Sequence, residues 1–296
     1  MFITILGAGA GGGLPQWNCG CRNCTDARTG RLPPMTQSSV AVSVNGVDWA
    51  ILNASPDIRA QFAANPSMHP PSLRGSPMRA VVLTNGDIDH VAGLLTLREK
   101  TPFTVYATSE TLGVLDHDSV FCALDPALVT KQRITLDAAF HPLAGMEITP
   151  FAVPGKVPLY MEGETVDTEA MGENTVGLRI SDGAKVLYYI PGCATLPDWL
   201  LDRLGEADML LFDGTVWEND EMEQTGTGAK TGARMGHISM RGDAGSLARL
   251  SALTDTRKIY IHINNTNPIL QPDGPERAEA LAQGWQIAAD GMELEL

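Results

Sequence analysis

At 296 residues with 44% hydrophobic side chains, the chain has enough apolar material to bury a large core, which excludes intrinsic disorder. Its formal net charge of -14 excludes a general affinity for nucleic acid or an anionic membrane, since both require a basic face. Residues 2–6 read as a first strand rather than as a charged and then apolar leader, and no apolar run is long enough to span a bilayer, so a cytoplasmic protein with no membrane partner is expected.

Strand patterns, alternating or continuously apolar, fall at residues 2–6, 39–44, 49–53, 80–83, 103–107, 176–180, 185–190, 209–212 and 258–263. Helical patterns fit residues 58–64, 91–98, 109–115, 198–204, 244–253 and 276–283. A first group of elements ends near residue 150 and a second begins with new strands. This order predicts an α/β protein, a four-layer αββα sandwich in which two sheets pack face to face, built as one domain over residues 1–296. Gly and Pro concentrate in residues 7–15, 69–77, 153–172 and 226–236, the expected loops, and long loops inside a compact domain tend to carry function. The glycine run from Gly7 to Gly13 lacks a helix directly behind it, because Pro15 and a cysteine cluster come next. It is therefore read as a tight turn passing close to the site rather than as a phosphate cradle.

Five cysteines, three of them at Cys19, Cys21 and Cys24, do not make a disulfide framework. Thiolates at that spacing can turn inward around one tetrahedral ion, which predicts structural zinc. For the fourth ligand His237 is favoured, with Asn265, His69 and water left open. A second constellation joins Asp89 and His90, which come after the apolar run 80–83, to His262 at the end of the strand 258–263. Two imidazoles and one carboxylate with open positions form a ligand field associated with non-haem Fe(II) oxygenases. Asp213 also ends an apolar strand and reads as a further ligand, a carboxylate orienting an imidazole, or a helix cap. Ser55 is expected in the pocket wall and Asp57 at a helix N-terminus, and Asn264, Asn265 and Thr266 are candidate substrate contacts.

The segment Thr84-Asn85-Gly86-Asp87-Ile88-Asp89-His90 resembles the metal-binding turn of the metallo-β-lactamase superfamily, Thr-His-x-His-x-Asp-His, with Asn85 and Asp87 in place of the first two imidazoles. Pro191-Gly192-Cys193 stands where a bridging aspartate is expected, so a dinuclear site is hard to assemble. Together with Gly11-Gly12-Gly13-Leu14-Pro15-Gln16-Trp17-Asn18-Cys19, Asn53-Ala54-Ser55-Pro56-Asp57-Ile58-Arg59, Asp213-Gly214-Thr215-Val216-Trp217, Met235-Gly236-His237 and Ile261-His262-Ile263-Asn264-Asn265-Thr266-Asn267-Pro268, the chain is similar over nearly its full length to a family of pyrroloquinoline quinone (PQQ) biosynthesis proteins within that superfamily. A cyclic phosphodiesterase of phosphonate breakdown shares the cysteine knot but has a histidine where Asn265 stands here.

The resemblance implies a part in making PQQ from a cross-linked glutamate and tyrosine, a small-molecule substrate. The activity it favours is iron- and O2-dependent hydroxylation of the tyrosine-derived ring at Asp89, His90 and His262, with zinc able to substitute. Carriage of the cofactor towards the periplasm and hydrolysis at one metal are the alternatives. Such a substrate carries several carboxylates, for which Arg59, Arg179, Arg234, Arg241 and Lys230 are the candidate partners, unranked. A homodimer is left open.

Overall fold

The computed structural model describes residues 1–296. The chain forms fourteen strands and a set of short helices; the strands are Phe2–Gly7 (β1), Ser39–Ser43 (β2), Trp49–Leu52 (β3), Met78–Val82 (β4), Phe103–Ala107 (β5), Val129–Arg133 (β6), Phe140–Leu143 (β7), Met146–Ala152 (β8), Val176–Ser181 (β9), Val186–Ile190 (β10), Met209–Asp213 (β11), Arg257–Ile261 (β12), Trp285–Ile287 (β13) and Met292–Glu295 (β14). They form two seven-stranded sheets, ordered β14-β1-β2-β3-β4-β5-β6 and β13-β12-β11-β10-β9-β8-β7. Each sheet is half parallel: β3 to β6 in the first, and β10 to β13 in the second. The expected αββα sandwich of the metallo-β-lactamase type is present.

The period of two along each strand separates the two cores. In β3, Ala50 and Leu52 face the inter-sheet core while Trp49 and Ile51 face the outer helical layer; in β4, Ala80 and Val82 face inward and Met78 and Val81 outward. The inter-sheet core extends through Phe151, Leu178 and Tyr189 of the second sheet, all fully buried.

The strands without a sequence signal are β6, β7, β8, β13 and β14. Four of these, β6, β7, β13 and β14, are the edges of the two sheets, where short, half-exposed strands lose the apolar alternation. β8 carries Pro150 and pairs with both neighbours. The helix expected at residues 91–98 is instead one turn, Ile88–Val91, running into the 3-10 turn Ala92–Leu95. Gly93 explains the tight course: its N–H donates to Ala54 O at 2.9 Å, and a Cβ there would fall 2.1 Å from Ser55 O. The helix expected at residues 244–253 shrinks to Ser246–Arg249, and a helix not expected, Arg22–Arg28, carries Cys24. Asp57 precedes the helix Ile58–Ala64 but makes no cap bond; its carboxylate accepts from the N–H and the side-chain amide of Gln37.

Candidate metal centre

The parallel strands end on one side of the sandwich, and the site is built from the residues just past those ends. After β4, Thr84 is tied to the end of β3 by its N–H, which donates to Asn53 Oδ1 at 2.9 Å. The chain then turns through Asn85 to Asp87 into Ile88–Val91, aiming Asp89 and His90 at the gap between the sheets. After β12, His262 takes a left-handed conformation, φ 58°, which a non-glycine residue adopts only where its surroundings hold it. The next residue pairs with the glycine turn: Ile263 N–H donates to Ala8 O and Ala10 N–H to Ile263 O, both at 2.9 Å. That turn does bring backbone to the site, since a Cβ on Gly11 would sit 3.5 Å from Asp89 Oδ2.

One donor atom each from Asp89, His90 and His262 lie within 4.8 Å of one another. Asp89 Oδ2 is 3.1 Å from His262 Nε2 and 3.8 Å from His90 Nε2. His90 is 2% exposed, and its Nε2 is buried with no hydrogen-bond partner. A buried nitrogen without a partner is costly unless something fills its lone pair. Its other nitrogen, Nδ1, donates to Asn85 Oδ1 at 2.6 Å, and Asn85 Oδ1 also accepts the Asp87 N–H at 3.0 Å, which fixes the amide's orientation. Thus the residue at the first missing imidazole position sets the tautomer of a surviving one, leaving Nε2 as the lone pair.

His262 is oriented in the same way. Its Nδ1 donates to Thr215 Oγ1 at 2.9 Å, and that hydroxyl donates to Asp213 Oδ1 at 2.7 Å. Asp213 is fully buried and also accepts from Thr215 N–H, Cys193 N–H and His237 Nδ1, the last at 2.8 Å. The carboxylate therefore faces donors on every side and orients two imidazoles. Cys193 contributes its backbone N–H here, while its thiol donates to Thr195 O at 3.0 Å; burial raises the thiol pKa far above its ordinary value.

The charges fit this arrangement. Burial alone would raise the Asp89 carboxyl, but the charge of His90 and the hydrogen bond from His262 hold it well below the usual carboxylate range. Burial pushes His90 down to about 4. Burial also works against a proton on His262, yet the hydrogen bond and charge of Asp89, with Asp213 and Asp87 behind, raise its pKa. Two unprotonated acceptors, Asp89 Oδ2 and His262 Nε2, cannot remain 3.1 Å apart without a proton or a cation between them. The donor set fits a divalent ion.

The three cysteines form a second centre. Their sulfurs lie within 4.8 Å of one another, and Asn265 Nδ2 stands 3.2, 3.5 and 3.3 Å from Cys19, Cys21 and Cys24 Sγ. Burial and the neighbouring sulfurs raise the Cys24 thiol to about 11; burial would also raise Cys21, but hydrogen bonds from Cys24, Cys19 and Asn265 lower it. Three crowded sulfurs whose charges oppose one another suit a cation at their centre. Arg28 secures the loop from below, donating to Gln16 O and Cys19 O.

Several expectations are corrected. His237 is not at the cysteine knot: it stacks on His262 with ring centroids 5.2 Å apart, held by Asp213. His69 is exposed and bonds Ala63 O. Asn265 occupies the open side of the sulfurs, so it does not contact the cavity over Asp89. Thr266 is buried against Glu221, and Ser55 lies under Gly93, fully buried, outside the cavity wall; of the three polar residues after His262 only Asn264 lines the cavity. Arg179 and Arg241 are paired with Glu206 and Glu218, Arg59 is exposed, and Arg234 is paired with Glu162. Lys230 reaches the cavity, and so does Lys156, which sequence reasoning missed because nothing in the loop 153–172 marks one residue over another.

Known proteins share this architecture. A model described as Beta-lactamase superfamily domain matches residues 48–263. The chain is 57% identical over 296 residues to "Coenzyme PQQ synthesis protein B" of Ruegeria pomeroyi, covering all of both chains, and 53% identical to the protein of that name in Rhizobium meliloti, covering 99% of this chain and 97% of the other. The chain belongs to the coenzyme PQQ synthesis protein B family. A crystal structure of Zn(2+)-bound PqqB from Methylobacterium extorquens, 52% identical and covering all of both chains, superposes with a TM-score of 0.98. That relative shares the fold of this chain and is zinc-bound. No helix of the chain is long and apolar enough to cross a membrane.

Proposed function

We propose that this chain acts in PQQ synthesis as an iron- and O2-dependent hydroxylase of an aromatic ring carried by a cross-linked glutamate–tyrosine substrate. The observation that carries the reading is the donor set Asp89, His90 and His262, with His90 Nε2 unpartnered and His262 Nε2 facing Asp89 Oδ2 at 3.1 Å. It stands beside Asn85, Asp87 and Cys193 at the positions where a second metal would need ligands. Names of the family members support the pathway.

Asp89, His90 and His262 would hold the ion, and iron(II) there would supply the one-electron chemistry that brings O2 into reaction with a ring, which zinc lacks. The chain's own residues do the rest. Asn85 and Thr215 fix the two tautomers, and Asp213 keeps His237 facing the cavity. His90 and His262 are buried apart from the side that faces the cavity, so the donor set is reached from the cavity alone. At the cysteine knot, Cys19, Cys21 and Cys24 would hold structural zinc with Asn265 closing the site.

The test is anaerobic reconstitution of the centre with Fe(II) or Zn(II), and then exposure to isotopically labelled O2 and the cross-linked amino acid. Label is expected in the product with iron alone. Equal turnover of the zinc form, or product without O2, would replace the reading by hydrolysis; tight binding of PQQ with no turnover under either metal would replace it by carriage.

A further inference from the structure

The cavity over Asp89, His90 and His262 has a volume of about 370 Å³ and presents two ammonium groups that hold no metal ligand in place, Lys156 and Lys230. Lys230 is exposed and forms no ion pair with any carboxylate of the chain. Lys156 is different. Its side chain is only 10% exposed, its stem runs along Gly236 so that a Cβ there would lie 3.2 Å from Lys156 Cγ, and its Nζ stands 2.9 Å from Glu162 Oε1. Glu162 is held a second time by Arg234, whose two terminal nitrogens donate to Oε1 at 3.1 Å and Oε2 at 2.7 Å.

This cluster contains one carboxylate and two cations, so it carries a surplus positive charge. Because the Arg234 fork remains on both oxygens of Glu162, Lys156 can leave without stranding a buried, unpaired carboxylate. Lysine suits such an exchange, being a point charge on a flexible stem. The loop that carries both Lys156 and Glu162 is itself pinned to the metal-binding turn: Leu159 N–H donates to Asp87 Oδ1 at 3.2 Å and Tyr160 OH to Gly86 O at 2.7 Å. Asp87 and Asp89 line the same cavity as the two lysines.

We propose that Lys230 and Lys156 form a two-point anchor in the wall of the metal cavity for a ligand bearing at least two carboxylates, with Glu162 occupying Lys156 until that ligand arrives. The choice of an aromatic polycarboxylate as the natural ligand rests on the proposed function in PQQ synthesis; the anchor itself rests on the two lysines.

The test titrates the zinc-loaded protein and its Lys230→Met, Lys156→Met and doubly substituted forms with two probes by calorimetry: PQQ, and benzene-1,3,5-tricarboxylate, which is foreign to the pathway. Each single substitution is expected to weaken binding of both probes by about tenfold and the pair by about a hundredfold, as loss of charge-assisted hydrogen bonds implies. Lys230 is exposed, so Lys230→Met separates binding from folding, and Lys156→Met leaves the Arg234–Glu162 pair in place, with unchanged melting as its control. Affinities within twofold of the parent in both single variants, or no binding of either probe by the parent, would overturn the anchor. Lysine-dependent binding of the benzene tricarboxylate without binding of PQQ would keep the anchor and remove the quinone reading instead.

Discussion

Replacing Asn85 by Ala tests whether the lost imidazole position has become a support for the surviving metal ligand. In the structure Asn85 is 8% exposed and its Oδ1 is the closest partner of His90 Nδ1, at 2.6 Å; Thr84 Oγ1, the alternative, lies at 3.4 Å. Removing Oδ1 leaves a buried N–H without a good acceptor, a cost of about 1–3 kcal/mol. The ring can escape that cost by moving its proton to Nε2, the atom that the metal needs. Either way the loss appears as metal affinity, and loss of such a partner typically weakens binding by about 10- to 100-fold. Asn85→Asp keeps an acceptor at the same place and is expected to restore most of the affinity. The assay is anaerobic competition for Fe(II) and Zn(II) against a chromophoric chelator, with zinc at the cysteine knot counted separately. An affinity for Asn85→Ala within twofold of the parent would refute the reasoning, and so would equal weakening in Asn85→Ala and Asn85→Asp.

Glu221 is nearly fully buried, and burial raises its carboxyl to about 7 although Thr266 Oγ1 and Trp217 N–H donate to it. Its folded-state pKa lies above the ordinary unfolded value, so the folded chain holds this proton more tightly. The contribution is fully present below about 4.3 and is lost as pH rises towards 7, a change on the order of 3 kcal/mol. Glu221→Gln, whose amide can donate to Thr266 and accept from Trp217, is expected to flatten urea-unfolding midpoints between about pH 5 and pH 8; parallel pH slopes in parent and variant would contradict it. Cys21→Ser should abolish zinc binding at the knot and lower the melting temperature by on the order of 5–10 °C, since such metal binding is folding free energy. Full zinc content by elemental analysis would remove the knot from the zinc account.

What the sequence made legible is what short range encodes. Asp89 and His90 sit in one turn behind an apolar strand, and His262 ends another, so local pattern and strand order sufficed to bring them together. The sequence points His237 to the wrong centre because Met235-Gly236-His237 contains no record of its distance from either. Its place is set by the parallel pairing of β10 with β11, which puts the Cys193 N–H and the Asp213 carboxylate side by side and so fixes what His237 Nδ1 meets. Asn265 carried a usable signal, standing three residues after His262 where a related fold keeps a zinc-binding histidine, but an amide's affinity for sulfur ligands gives no periodicity to read. Lys156 had no signal at all: its meaning comes from Gly236 and Glu162, neither of which any pattern ties to it. The edge strands were missed for a simpler reason, since one exposed face and so few residues leave little pattern.

The two centres share one segment of backbone, and that has an energetic consequence. Between His262 and Asn267 the chain supplies a ligand to one site and closes the other. His262 is held in a left-handed conformation, Ile263 is paired to the glycine turn, and Asn265 faces the three sulfurs. Asn23, on the helix that carries Cys24, donates to Asn265 O at 3.0 Å and Asn267 O at 2.9 Å, so the knot grips this segment by its backbone as well. The unfavourable φ of His262, about 1–2 kcal/mol for a residue with a Cβ, is sustained by these contacts rather than by the residue itself. Loosening the knot should therefore release His262, although no cysteine touches the metal-binding imidazoles. Asn265→Ala is expected to lower Fe(II) affinity at Asp89, His90 and His262 by about tenfold, a coupling within the usual range, while the pH dependence of that binding stays unchanged because the donor atoms are intact. Reciprocity holds between the two ions: whatever factor zinc at the knot adds to Fe(II) affinity, Fe(II) in the centre must add to zinc affinity. If Fe(II) affinity is indifferent both to Asn265→Ala and to removal of zinc from the knot, the segment is a shared scaffold without coupling, and the strained conformation of His262 must be held from the Thr215 side alone.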